Sequence, residues 1–86
     1  QSYPNPFNSV TTIKYDLPSI TDLSMVIIDI RGRIVRTLID NEQRSGFQSV
    51  VWDGKNDDGE LVSSGVYFYQ IRSTNFNEVG KLVFVK

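Results

Sequence analysis

Gly65-Val66-Tyr67-Phe68-Tyr69-Gln70-Ile71 is the stretch that decides the fold. Its alternation sets Tyr67, Tyr69 and Ile71 on one side and Val66, Phe68 and Gln70 on the other, the period of a strand. A tyrosine placed just after a glycine at the start of a strand can bury its ring and return its hydroxyl to nearby backbone. That corner is a mark of immunoglobulin-like sandwiches. The competing use of these aromatics is a sugar-stacking platform, for which Phe68 is best placed. Aromatics at strand spacing are usually core, so the inward reading is preferred.

The same period runs outward in both directions. Val10–Leu17, Leu23–Ile30, Ile34–Ile39, Phe47–Trp52, Gly65–Arg72 and Val79–Val85 read as strands, with a short addition at Glu60–Ser63. Pro18 stops the first. Met25-Val26-Ile27-Ile28 is apolar on both sides, as in a central or doubly covered strand. Arg31-Gly32-Arg33 and Asn75-Phe76-Asn77 read as turns, and residues 40–46 as a polar loop. About seven short strands with no helical period or cap give an all-β, immunoglobulin-like antiparallel sandwich. Ile13, Tyr15, Ile28, Trp52, Tyr67, Tyr69 and Ile71 are its expected core, with Leu82 and Phe84 packing inward from the last strand.

Asp53-Gly54-Lys55-Asn56-Asp57-Asp58-Gly59-Glu60 crowds four carboxylates and an asparagine into one connection. A calcium loop of the EF type alternates oxygen ligands and needs Gly sixth and Glu twelfth. Counted from Asp53, the third residue is the cation Lys55 and the sixth is Asp58. The pattern suits a tight turn, in which Asp and Asn bond nearby backbone and Gly takes left-handed conformations. No tight metal site is expected here, with weak calcium binding the alternative.

Composition narrows function further. The 86 residues carry nine basic and ten acidic side chains, a net charge of -1, with no Cys and no His. No basic stripe invites nucleic acid, and no polybasic cluster invites a membrane surface. Without thiolate or imidazole, the common nucleophile–base pairs and most transition-metal sites are missing. Two carboxylates facing each other across a cleft, as glycoside hydrolysis requires, have no room in a sandwich this small. The expectation is a monomeric, non-catalytic domain with no cofactor.

Tyr3-Pro4-Asn5-Pro6-Phe7 is a stiff, extended lead-in, because proline fixes its own φ and pushes the preceding residue toward extended conformations, and its aromatics can fold back onto the sandwich edge. Residues 1–9 are expected to be linker and domain entrance, and residues 10–86 the folded domain. With no initiator Met and no signal peptide, the chain is expected to be a piece of a longer protein. Its last strand, Lys81-Leu82-Val83-Phe84-Val85-Lys86, is bounded by lysines that discourage edge aggregation.

Taken together, YPNPFN, TTIKYDL, the D-x-x-G-R-x-V run of Asp29–Val35, VVWDGKNDDGELVSSGVYFYQI and the closing KLVFVK resemble a known family. They are similar to the type A C-terminal sorting domain of the bacterial type IX secretion system. They are equally similar to the Ig-like domain of the flagellar hook-capping protein. The resemblance spans Tyr3 to Lys86, with Ser9 a mild departure from the Pro frequent after the opening motif. It implies a tail that carries a larger secreted protein through the outer membrane to the cell surface by way of the periplasm. Its implied partners are an outer-membrane translocon, a surface sortase-like protease and the parent's N-terminal cargo domain. The matching recognition positions are Pro4, Asn5, Pro6, Gly65, Tyr67, Lys81 and Lys86. The alternatives are an accessory carbohydrate-binding or structural Ig-like module of a secreted polysaccharide-degrading enzyme, and a structural role in hook assembly.

Overall fold

A computed structural model describes residues 1–74 and 76–86; Asn75, in the turn expected at residues 75–77, lies outside the described residues. The strands are β1 (Ser2–Tyr3), β2 (Thr11–Asp29), β3 (Ile34–Trp52), β4 (Gly65–Arg72) and β5 (Asn77–Phe84). All pair antiparallel in the order β1-β2-β4-β5, with β3 on β2. The all-β, Ig-like expectation holds, with five strands among the described residues in place of about seven.

The difference lies in one long hairpin. β2 and β3 pair from Thr11↔Trp52 to Ile28↔Ile34. The strands expected at Val10–Leu17 and Leu23–Ile30 are therefore one bent strand, as are Ile34–Ile39 and Phe47–Trp52. Pro18 bends β2 without ending it: pairing lapses between Leu17 and Thr21, where a residue lacking an N–H costs no ladder bond. Polar residues 40–46 belong to β3. Glu60–Ser63 contributes only an isolated bridge, Lys55↔Leu61.

The bend folds the ribbon over itself. The first half of β2 lies between β1 and the end of β3, and its second half lies between β4 and the start of β3. Trp52, at the end of β3, thus meets Tyr67 of β4 edge-on at 5.4 Å between ring centroids. Rings on unpaired strands touch this way only when two layers face each other. Ile13, Tyr15, Trp52, Tyr67, Tyr69, Ile71, Leu82 and Phe84 are buried between the layers, as expected.

Ile28 is not. Leu23, Met25 and Ile27 point inward, leaving Ile28 half-buried on the outer side. With four consecutive apolar residues, alternation alone could not choose between the two sides. Irregular pairing between Met25 and Val26 and between Ile27 and Ile28 further loosened the count.

Turns are secured by short polar side chains. Asp29 Oδ1 accepts from the backbone N–H groups of Arg31 and Arg33, while Gly32 takes φ +83°. Burial would raise the Asp29 pKa, but those two bonds and the Arg33 guanidinium outweigh it and hold the carboxyl below its ordinary value.

Candidate functional site

The opening segment is built into the fold. Pro4–Pro6 forms a run of bends, so the segment is not the extended lead-in read from the sequence. It lies along the outer edge of β5. The Asn5 side chain imitates a peptide unit there: Val83 N–H donates to Oδ1 at 2.9 Å, and Nδ2 donates to the Lys81 carbonyl at 2.8 Å. Phe7 continues the contact with real backbone. Its N–H donates to the Val83 carbonyl at 2.9 Å, and its carbonyl accepts from Val85 N–H at 2.8 Å.

Side-chain packing locks this edge in place. The Phe7 ring is buried against Phe84 at 5.0 Å and Trp52 at 5.6 Å between centroids. Thr11, fully buried, donates its hydroxyl to the Pro4 carbonyl at 2.7 Å. Prolines suit this position because they cap an edge without offering a new donor to another strand.

On its other edge β5 is held by β4. Gly65 pairs with Phe84, and Lys86 N–H donates to Ser64 Oγ at 2.9 Å. Pro4, Asn5, Pro6, Gly65, Lys81 and Lys86 therefore gather around the last strand. Tyr67 lies beneath them and reaches its hydroxyl back to the Ser63 carbonyl at 2.7 Å, the corner expected from the sequence. Burial, with the nearby Asp29 charge, raises its pKa.

Sequence reasoning did not single out Thr11, Ser64 or Val83 as parts of this arrangement. Of the two aromatics read as able to fold back onto the sandwich, Phe7 does so and Tyr3 stays exposed. The acceptor and donor on β5 are backbone atoms, to which residue type gives no clue.

The Asp53–Glu60 connection is a self-braced turn. Asn56 Oδ1 accepts from the backbone N–H groups of Asp58 and Glu60, and Trp52 Nε1 donates to the Lys55 carbonyl. Arg36 sits 3.3 Å from Asp53 and 3.9 Å from Asp57. Among the described residues no cluster of acidic side chains is placed to hold a metal ion. Phe68, the candidate stacking aromatic, is half-buried, whereas the exposed Tyr3 and Phe47 lie on the opposite sheet layer.

In known proteins this architecture recurs in secretion and flagellar settings. The structure superposes on part of PorZ, described as an essential bacterial surface component of the type-IX secretion system of Porphyromonas gingivalis. The TM-score is 0.70, with 23% identity over 100% of this chain and 11% of that one. Dimeric latent PorU from the same organism gives a TM-score of 0.75 at 22% identity, covering 99% of this chain and 9% of PorU. Identities this low establish shared fold alone. In sequence, the chain is 38% identical over 68 residues to the basal-body rod modification protein FlgD of Salmonella typhimurium and of Salmonella typhi. That match covers 78% of this chain and 29% of those proteins, so the domain corresponds to a minor part of their length. The profile of the FlgD Ig-like domain matches residues 7–76, from the aromatic that seals the last strand's edge to the residue before β5. The chain belongs to the FlgD Ig-like domain family.

Proposed function

We propose that this domain is a non-catalytic export and anchoring module of a larger secreted bacterial protein, read in its folded form by the type IX machinery. The observation that carries the reading is the clamp of Asn5 and Phe7 onto Lys81–Val85. It makes the point where cargo would join the domain and the closing strand one rigid object. A machine that recognises a folded tail needs such an object, with Lys81 and Lys86 held at fixed points. The fold likeness to a surface component of a type IX system supports the reading. Outer-membrane translocon, surface sortase-like protease and cargo domain are its partners under this proposal, and the cell surface its destination. The test places residues 1–86 behind a signal peptide and a fluorescent reporter in a host with a type IX system. Reporter on the surface or in the medium supports the proposal. Retention in the periplasm, while a native tail delivers the same reporter, sinks it.

The 38% identity to FlgD favours a second reading, a structural module in flagellar rod or hook assembly. Complementation separates the two. Restored motility, on replacing the corresponding FlgD segment with this domain, would favour assembly, provided the export fusion stays inside.

A further inference from the structure

The β2–β4–β5 layer has a second apolar side that this chain leaves uncovered. Two rows cross it: Ile34–Ile28–Phe68–Lys81 and Thr37–Val26–Gln70–Val79. Ile34 is 62% exposed and Val79 60%. A sheet side facing only water ordinarily alternates to polar residues, whereas five of the eight positions in these rows are apolar. Between Ile28, Ile34 and Gln70 it dips into a depression of about 520 Å³ reaching Ser24 and Arg72.

Charge says what covers it. Arg72 and Lys81 are the charged residues on these rows and the adjoining Ser24–Arg72 row, and both are cations. Neither takes part in an ion pair among the described residues. A second copy of the domain would set these cations against themselves, which opposes self-association. The apolar area spans four strands about 4.8 Å apart and roughly four residues along each, on the order of 250 Å². Stable free complexes bury about 800 Å² per partner. The occupant is therefore held briefly, or is also held elsewhere.

We infer that this side docks a short acidic and apolar protein segment. Its aliphatic side chains enter the depression over Val26 and Ile28, and its carboxylates meet Arg72 and Lys81. This surface lies on the opposite side of the sheet from the buried core, and the inference does not rest on the export reading.

The test titrates the isotope-labelled 86-residue domain with the synthetic peptide Glu-Leu-Ile-Val-Ile-Asp and follows backbone amide shifts. The expected result is saturable change at Val26, Ile28, Phe68, Gln70 and Arg72, with a dissociation constant below a few millimolar. Arg72→Gln and Ile34→Ser, both exposed substitutions, should each weaken it at least severalfold while leaving the melt in place. A lysine-flanked peptide of the same apolar centre should bind at least tenfold more weakly. Equal binding of the lysine peptide, no saturable change, or change confined to the β1 side would overturn the proposal. So would shifts of these amides produced by anionic phosphatidylglycerol vesicles alone, or by raising the domain's own concentration.

Discussion

Asn5 completes the edge of β5 as a strand would, its amide accepting from Val83 N–H at 2.9 Å while donating to the Lys81 carbonyl at 2.8 Å. A side chain that both donates and accepts is required here, which no carboxylate or hydroxyl supplies in the same geometry. The relationship spans nearly the whole chain and turns a proline-rich lead-in into part of the sheet.

Replacing that amide should be costly for a residue at the surface. Asn5→Ala removes two solvent-exposed bonds, each contributing about 0.5–1 kcal/mol, so a loss of about 1–2 kcal/mol is expected. Asn5→Asp should lose at least as much, since its carboxylate would face the Lys81 carbonyl. Urea unfolding at neutral pH measures both, and wild-type midpoints for the pair would contradict the clamp.

The tyrosine corner separates into ring and hydroxyl. Tyr67→Phe loses the 2.7 Å bond to the Ser63 carbonyl and should cost about 1 kcal/mol. Tyr67→Ala also empties the space beside Trp52 and should cost about 3 kcal/mol or more. Thermal melts should rank wild type, Phe and Ala in that order with a clear gap after Phe.

Gly80 lies directly under the Tyr69 ring, and a Cβ built there would overlap ring atoms and the hydroxyl. The ring cannot swing away freely, because it is buried and its hydroxyl donates to Glu78 at 2.9 Å. Gly80→Ala should therefore destabilise by about 1–3 kcal/mol, and Gly32→Ala, with open space around it but a left-handed φ, by about 1 kcal/mol through the backbone alone. Matching melts for Gly80→Ala and wild type would place the ring elsewhere.

Alkaline stability should reveal the same tyrosine. Burial, then the hydrogen bond and negative charge of Glu78, push the Tyr69 pKa up to about 12. The folded protein then keeps a proton that the unfolded chain releases near the ordinary value of 10. Stability from this source is complete below pH 10 and declines as pH rises toward 12, by about 1–2 kcal/mol after solvent screening of the part-buried hydroxyl. Tyr15 and Tyr67, raised chiefly by burial, add to the decline. Tyr69→Phe should flatten the dependence of the unfolding free energy on pH between 9 and 12; an unchanged slope would contradict the assignment.

The sequence made β4 and β5 legible because strict alternation there coincides with one wet and one dry side, as Tyr67, Tyr69, Leu82 and Phe84 demonstrate. It obscured the middle of the β2–β3 hairpin for the opposite reason. Around Pro18 and residues 40–43 the ribbon crosses between layers and is largely solvated, so paired backbone carries the polar residues of a loop. Ile28 was misplaced because the strand is apolar on both sides. The positions named for recognition do converge, but the clamp joining them uses backbone atoms of Lys81, Val83 and Val85 that side-chain chemistry cannot foretell.

Export of the reporter fusion carrying Asn5→Ala, set beside the fusion carrying Tyr67→Phe, tests the central claim most directly. The two variants should lose comparable stability and remain folded well below their melts, but only the first loosens the clamp on the last strand. The account predicts that Tyr67→Phe still delivers reporter to the surface while Asn5→Ala leaves severalfold more in the periplasm. Equal export of the two, with folding of both verified, would contradict it.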